Sequence, residues 1–425
     1  MKKILVISWF FPPVNSSEGL VTYKLLNNSK YEYDVYTQNS NDSWSYGKND
    51  FLPLNKNIKS IYSNASNLTD FYNEGVKFFE NNKNKYDIVM TRSMPEESHM
   101  IGLEIKKIKP EITWIASFGD PIGNNPFTLK TLQSNNPYSL KNRYQRQMGI
   151  KEILSLKRIL KDIIYKKNNK KSYNLFIKSK NILEKNIVKN ADYIICNNDY
   201  QKKYIIDNNN VGTEKFIVLP HTFDEKLYSQ KAKKTSSKIV FTYIGHLDDI
   251  RTPKLFLEAI SDMYQEDSDL KDKVEFDFYG NMSNNDKLYI INNDLTDFVK
   301  IKKPISYETS LKIMKNSDWL LHIDANIFDI LNENIFFAAK LADYIGTGNK
   351  IIGLTMLDGA SADILRKINA LILTYSKEEI KNYLYLIIYK QFEIKMNKSA
   401  LNEYNAKVVS NKFDQFIENE VLNEN

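Results

Sequence analysis

The chain has 425 residues, of which 42% are hydrophobic and 26% are charged, and its formal net charge is +7. This length exceeds that of one ordinary domain, so two or three domains with their own cores are expected. The single cysteine, Cys196, excludes an intrachain disulfide, and the four scattered histidines offer no spacing for a structural zinc site.

The amino-terminal apolar run ends at Pro12-Pro13 and lacks a small-residue cleavage site. A first β-strand is therefore favoured over a signal peptide. The sequence contains no apolar run of about 18 residues, so we expect no membrane-spanning helix.

Apolar runs alternate with helical patterns through the first part of the chain. The predicted strands are residues 4–9, 33–36, 58–62, 87–91, 112–117, 193–197 and 217–219, and the predicted helices are 20–27, 67–82, 96–108 and 199–208. This alternation is typical of a doubly wound parallel sheet.

Residues 126–190 interrupt the alternation with two long helical patterns, the first of which has its apolar positions within 150–164. The segment carries 16 Lys and Arg residues against three acidic residues, which makes the rest of the chain acidic overall. A basic helix with an apolar stripe indicates either contact with an anionic membrane surface or a solvated helical hairpin packed on its domain. No nucleic-acid-binding module is recognisable.

The second half repeats the alternating pattern after a polar linker at residues 222–237. Its predicted strands are residues 239–244, 274–279, 298–301, 318–323, 350–354 and 370–374, and a final helix is predicted at 399–422. The predicted domains are therefore 1–221 and 238–398, followed by a carboxyl-terminal segment at 399–425.

Residues 240–260 form a candidate anion site. A strand ends at Gly245, and a helix begins near Thr252-Pro253, with Arg251 and Lys254 beside its first turn. Helix amides, the helix dipole and two cations together suit a diphosphate. The alternative is a pair of solvated surface cations.

Residues 333–355 combine a helix with a buried strand. Phe336, Lys340 and Asp343 fall at helical spacing, and the two charged residues share one face. Gly346 and Gly348 are expected to stop this helix. Asp343 could also be a solvated helix charge.

The segment resembles the nucleotide-sugar region of GT-B glycosyltransferases, specifically the retaining, family-four-like kind (glycosyl transferases group 1). Their helix reads roughly P-x-K-L-x-E-Y and carries an acid that holds the donor ribose. Asp343 stands in place of that Glu, and Ile335 stands where an earlier acid is usual. The family often has Arg at the position of His246, so the diphosphate-binding role moves to Arg251, with Lys254 in support.

This resemblance implies an α/β fold of the GT-B type: two Rossmann-like doubly wound domains facing a cleft, with a helical insertion in the first. The last helix is expected to cross back to the first domain. Ser17, Glu18 and Gly19 match a loop that contacts donor phosphate, although a helix cap explains them equally well. Asp120 is either an acceptor-side base or the cap of a turn.

The expected function is a metal-independent retaining glycosyltransferase that moves a sugar from a nucleotide-sugar to a glycan or lipid-linked acceptor, in bacterial surface polysaccharide (capsule) synthesis at the cytoplasmic face of the membrane. No cofactor besides the nucleotide-sugar substrate is expected. The alternatives are a non-catalytic GT-B subunit that binds glycan and a nucleotide-sugar epimerase. The candidate catalytic residues are Arg251, Lys254 and Asp120, and the candidate donor-binding residues are Gly19, Glu18, Gly245, His246, Arg251, Lys254, Lys340, Asp343 and Ser361.

Overall fold

A computed structural model describes residues 3–14, 16–39, 52–133, 169–228 and 237–422. The chain divides into two compact units, which are Met1–Pro220 with Ser410–Asn425, and His221–Val409. The helical pattern predicted within residues 150–164 lies outside the described residues.

The first unit is built on a seven-stranded parallel sheet of order β3-β2-β1-β4-β5-β6-β7. Its strands are β1 (Lys3–Ser8), β2 (Glu32–Gln38), β3 (Ile58–Ala65), β4 (Ile88–Arg92), β5 (Thr113–Ser117), β6 (Tyr193–Cys196) and β7 (Phe216–Val218). Its helices are α1 (Ser17–Asn27), α2 (Leu68–Asn82), α3 (Glu97–Ile108), α4 (Pro126–Gln133), α5 (Asn169–Asn190) and α6 (Asp199–Asn209). The strand order reverses between β1 and β4, which makes their carboxyl ends the favoured place for a ligand.

The second unit is built on a six-stranded parallel sheet of order β10-β9-β8-β11-β12-β13, which reverses between β8 and β11. Its strands are β8 (Ile239–Ile244), β9 (Val274–Tyr279), β10 (Val299–Lys302), β11 (Trp319–Ile323), β12 (Lys350–Leu354) and β13 (Leu371–Leu373). Its helices are α7 (Lys254–Glu266), α8 (Leu270–Lys273), α9 (Asn284–Asn292), α10 (Tyr307–Asn316), α11 (Ala339–Thr347), α12 (Ala360–Lys367), α13 (Lys377–Tyr389) and α14 (Lys398–Leu401); α15 (Ala406–Phe416) ends in the first unit.

Every strand predicted from the sequence is present, with ends within three residues of the expected ones. The reason is visible in the burial of the sheets: the side chains of β4 and β11 are buried throughout. A strand covered by helices on both faces reads as a continuous apolar run, which is a strong sequence signal.

The predicted start of the helix around Lys340 is wrong, and its predicted end is confirmed for Gly348 but not for Gly346. Helix α11 begins after Ala338, so Phe336 precedes it, and it continues through Gly346 to Thr347. Gly348 ends it with a left-handed φ of +69°. Gly346 is instead a packing residue, because a Cβ there would lie 2.5 Å from the Tyr228 hydroxyl and 2.6 Å from Phe223.

The continuous helix predicted at 399–422 is interrupted between α14 and α15. There the Phe223 amide donates to the Tyr404 carbonyl (2.9 Å) and the Phe223 carbonyl accepts from the Ala406 amide (2.8 Å). Backbone groups used in this pairing are not available for a continuous helical ladder. Beyond it the chain packs on the first unit, where the Ser410 hydroxyl donates to the Leu25 carbonyl (2.8 Å).

Candidate functional site

The site in the second unit lies where the sheet order reverses. Strand β8 ends beside β11, and Gly245 follows it with a φ of +138°, a conformation that favours glycine. A Cβ at Gly245 would lie 3.2 Å from the Nζ atom of Lys340. The backbone after β8 therefore passes directly beside the ammonium group.

Lys340 lies in the first turn of α11 and is partly buried. Its Nζ atom donates to the Tyr243 hydroxyl and lies 3.9 Å from the centroid of that ring. The Tyr243 hydroxyl in turn donates to the His246 carbonyl (3.1 Å). Desolvation and then the positive charge of Arg251 lower the pKa of Lys340 well below its usual value, against the opposing charges of Asp324 and Asp248.

Asp324 follows β11 and is only 2% exposed. Its Oδ2 atom accepts from Asn334 Nδ2 (2.9 Å) and Thr355 Oγ1 (2.8 Å), and its Oδ1 atom lies 3.1 Å from His322 Nε2. Burial alone would raise the pKa of Asp324, but His322 and then Arg251 hold it below its usual range. The site therefore contains the buried, ionised carboxylate of Asp324 close to the positive charges of Arg251 and Lys340.

Ser361 is buried at the start of α12, its hydroxyl 3.2 Å from the Phe336 carbonyl and 3.4 Å from His322 Nε2. Gly359 precedes the helix with a φ of +137°, and a Cβ there would lie 2.3 Å from the Asn334 carbonyl oxygen. The loop after β11 and the loop after β12 are thus joined at the same sheet edge.

Gly245, Arg251, Lys340 and Ser361, four of the residues predicted from the sequence, are brought to this edge. Lys254 is not: its side chain is 62% exposed and lies 3.8 Å from Glu258 on the same helix. His246 lies next to the edge but is 45% exposed.

Asp343 lies on the same helix as Lys340, but its contacts are with another part of the second unit. Its carboxylate accepts from the Tyr307 hydroxyl (2.8 Å) and its backbone carbonyl accepts from the Tyr228 hydroxyl (2.8 Å). It is 5% exposed. Lys340 and Asp343 are close along the helix but have separate neighbours, so the expected role of Asp343 at a ribose remains a prediction.

The first unit holds the remaining predicted residues at its own point of reversal. Gly19 lies in the first turn of α1, where a Cβ would approach the Phe10 and Phe11 backbone to 3.2 Å. Glu18 beside it is paired with Arg92 at the end of β4 (2.8 Å). Desolvation raises the pKa of Glu18, Arg92 lowers it, and the charge of Asp120 adds to the increase.

The loop that carries Asp120 is held by its neighbours. The Gly119 carbonyl accepts from Asn197 Nδ2 (2.7 Å) and Gln201 Nε2 (3.0 Å), and the Gly119 amide donates to Ser93 Oγ (3.2 Å). Asp120 therefore starts from a fixed backbone and lies close enough to Glu18 to influence its charge.

Arg92, His322 and Asp324 were not among the predicted site residues. Each lies at or just after the carboxyl end of a strand. The sequence pattern that could have identified them is a polar side chain that directly follows an apolar run. Within the described ranges, no group of three or more His, Cys, Asp or Glu side chains could hold a metal ion, and no helix is long and apolar enough to cross a membrane.

No protein-family model matches the sequence, and no curated protein matches it significantly. Solved structures do match. A sucrose-phosphate synthase from Thermosynechococcus elongatus superposes with a TM-score of 0.67 at 12% identity, covering 100% of both chains. A glycosyltransferase from Rickettsia africae gives 0.61 at 14% identity, covering 98% of each chain.

The chain has the GT-B fold. The expectation of two Rossmann-like doubly wound sheets is thereby confirmed. A UDP-N-acetylglucosamine 2-epimerase also matches, with a TM-score of 0.51 at 11% identity over 100% of this chain and 97% of the other. The solved structures that match this chain therefore include proteins with more than one activity.

Proposed function

We propose that this GT-B protein is a retaining glycosyltransferase that moves a sugar from a nucleotide-sugar to a glycan or lipid-linked acceptor. The observation that supports this most is the placement of Lys340 close to Arg251 at the point of reversal of the second sheet. The positive charge of Arg251 lowers the pKa of Lys340, and a dianionic ligand bound between the two side chains would neutralise both positive charges. A diphosphate fits that requirement.

In the proposed reaction, Lys340 and Arg251 hold the donor diphosphate and stabilise the negative charge that grows as the glycosidic bond breaks. They supply positive charge without a metal ion. The negative charge of Asp324 favours the charged form of Lys340 and interacts favourably with Arg251, so it opposes the repulsion between the two cations. The amides at the start of α12 offer further donors to the leaving group. No residue is assigned as a covalent nucleophile.

The proposed setting is the synthesis of a bacterial surface polysaccharide such as a capsule, in the cytoplasm at the inner face of the membrane. The exposed side of α5 supports this part: Lys178, Lys185 and Lys189 accompany Leu175 and Ile182, which are 61% and 52% exposed. Basic residues beside exposed apolar ones suit an anionic lipid surface.

A nucleotide-sugar epimerase is the second candidate. The favouring observation is the His322–Asp324 pair, since a histidine and an acid at a sugar site can move a proton on and off carbon. A non-catalytic glycan-binding subunit is the third, because the acid that such transferases carry at the position of Ile335 is missing.

The deciding experiment incubates the purified full chain with UDP-, GDP- and ADP-sugars in deuterated water. With water as the acceptor, a transferase slowly hydrolyses the donor: it releases the nucleotide and a free sugar whose anomeric configuration, read by NMR before mutarotation, is that of the donor. Lys340→Met is expected to abolish release, and Lys254→Met serves as the matched control. Deuterium on the sugar without nucleotide release would support the epimerase, and no reaction with any donor would support the binding subunit.

A further inference from the structure

The second unit contains a groove between the face of its sheet and α10, away from the site of Lys340 and Arg251. Its volume is about 250 Å³. That is room for roughly eight water molecules at about 30 Å³ each, so the groove suits a ligand smaller than a nucleotide. Strands β8 and β9 contribute Thr242, Asp277 and Tyr279 to its lining, and α10 contributes Lys312, Ile313 and Asn316.

The groove lies on the polar face of the sheet. Successive side chains of a strand point to opposite faces. In β9, Phe276 and Phe278 belong to the apolar core on one face, so Asp277 and Tyr279 lie on the other. Thr242 of β8 is the register partner of Asp277 and shares its face. Hydrogen-bonding groups are thus gathered beneath α10.

Asp277 is the buried charged residue of this groove, with 6% of its surface exposed. Its Oδ2 atom accepts from the Lys302 ammonium group (2.6 Å). Its Oδ1 atom is buried and has no hydrogen-bond partner among the described residues. A buried acceptor without a donor is unfavourable, so a ligand that donates a hydrogen bond here would be stabilised. The terminal torsion of aspartate is broad, so the carboxylate can turn its Oδ1 atom towards such a donor.

The charges around the groove favour an uncharged ligand. The charged residues of this face and its rim are Glu275, Asp277, Lys300, Lys302, Glu308 and Lys312. Three acids balance three lysines, and each lysine Nζ atom already donates to an oxygen. Because these charges cancel, neither an anion nor a cation gains much from them. What is offered to a ligand is an acceptor oxygen, neutral polar groups and the apolar side chain of Ile313.

We propose that this groove is a second binding site, which holds one neutral monosaccharide unit. A sugar ring has hydroxyl groups that can donate to Asp277 and C–H faces that can pack on Ile313. The groove lies on the sheet face, whereas Lys340 and Arg251 lie at the carboxyl edge, so a sugar and a nucleotide can bind at the same time. The inference does not rest on the transferase function, because a sugar can bind here whether or not the chain reacts with a donor.

The test observes the groove directly in the full chain. The methyl groups of isoleucine are labelled with ¹³C, and Ile313→Val assigns the resonance of Ile313. The methyl glycosides of glucose, galactose and N-acetylglucosamine are then titrated. We expect at least one of them to shift the Ile313 resonance in a saturable way. Saturating UDP should leave the midpoint of that titration within twofold.

Asp277→Asn is expected to raise the midpoint about tenfold or more. Lys302 retains the remaining carbonyl oxygen, so the amide NH₂ takes the place of Oδ1 and cannot accept. Asp262→Asn is the matched control, because this carboxylate is also paired with a lysine (Lys377, 2.7 Å) but lies outside the groove. Melting temperatures verify that each variant is folded.

A second variant tests the site where Asp277→Asn does not fold. Asn316 is exposed on α10, and Asn316→Trp places a large side chain in the groove. It should abolish saturation transfer from the protein to the glycoside that binds the wild type. Absence of a saturable Ile313 shift with all three glycosides, or unchanged binding by either variant, would overturn the proposal. Loss of the shift on addition of UDP would assign the sugar to the site of Lys340 and Arg251 and would also overturn it.

Discussion

Replacing Lys340 by methionine is expected to abolish ligand binding at this site while it stabilises the folded protein. The ammonium group is desolvated beside Arg251, and both effects disfavour its charged form in the folded protein. Methionine has a similar length, and its sulfur can remain over the Tyr243 ring. The Tyr243 hydroxyl keeps a partner, because it donates to the His246 carbonyl (3.1 Å).

The expected change is a gain in stability. Replacing a complete buried ion pair by apolar groups of similar volume is neutral or stabilising by about 1–4 kcal/mol. Lys340 is expected to follow this case, because desolvation is the largest cause of its lowered pKa. Lys340 is only partly buried, so we expect about 1–2 kcal/mol. For a domain of this size class that corresponds to a rise in Tm of roughly 2–8 °C. The same variant should lose all stabilisation by nucleotides.

The assay is thermal unfolding of wild type, Lys340→Met and the exposed control Lys254→Met, at pH 7 and pH 9.5 without ligand. Because the folded pKa of Lys340 lies below its unfolded value, the unfolded chain binds more protons in that interval, and wild-type stability rises with pH. The advantage of Lys340→Met should therefore shrink at pH 9.5. A variant destabilised by more than about 2 kcal/mol would show that the lysine is a structural ion pair, and the reasoning would be refuted.

Two further expectations concern buried polar groups. His99 is fully buried, and desolvation followed by the charge of Arg92 lowers its pKa to about 3, so the unfolded chain takes up a proton below pH 6.5 that the folded chain does not. Stability is lost as pH falls: between pH 7 and pH 5 wild type should lose about 2 kcal/mol more than His99→Met, and equal losses in chemical denaturation would contradict this. Asp343→Ala removes the carboxylate that accepts from the buried Tyr307 hydroxyl and should destabilise by about 1–3 kcal/mol, whereas Asp343→Asn keeps an acceptor oxygen and should destabilise less. If Asp343→Asn destabilised as much as Asp343→Ala in chemical denaturation, the negative charge rather than the hydrogen bond would be what matters at this position.

The inner strands were predictable because they are apolar runs bounded by polar loops, as Ile351 and Ile352 of β12 illustrate. The end of α11 was not, because Gly346 is required by contacts with Phe223 and Tyr228, more than a hundred residues away in the sequence. The break after α14 has the same origin in the pairing of Phe223 with residue 405.

The site was predictable in part for a similar reason. Arg251 and Lys340 could be found because helix starts and helical spacing are local patterns. The environment of Asp324 could not, since its partners Asn334 and Thr355 come from two different loops. The direction of the Asp343 side chain depends on Tyr307 of α10, which local spacing does not encode.

The central claim is that Lys340 and Arg251 bind the phosphates of a nucleotide. Isothermal titration calorimetry with UDP, GDP, ADP and the matching nucleosides, in two buffers of different ionisation enthalpy at each of several pH values, tests it directly. We expect one diphosphate to bind and its nucleoside to bind at least about 100-fold more weakly. We also expect proton uptake at the pH values that lie between the lowered pKa of Lys340 in the free protein and its higher pKa beside the bound anion. Lys340→Met should remove both the binding and the proton uptake. Equal binding of diphosphate and nucleoside, or unchanged diphosphate binding by Lys340→Met, would contradict the account.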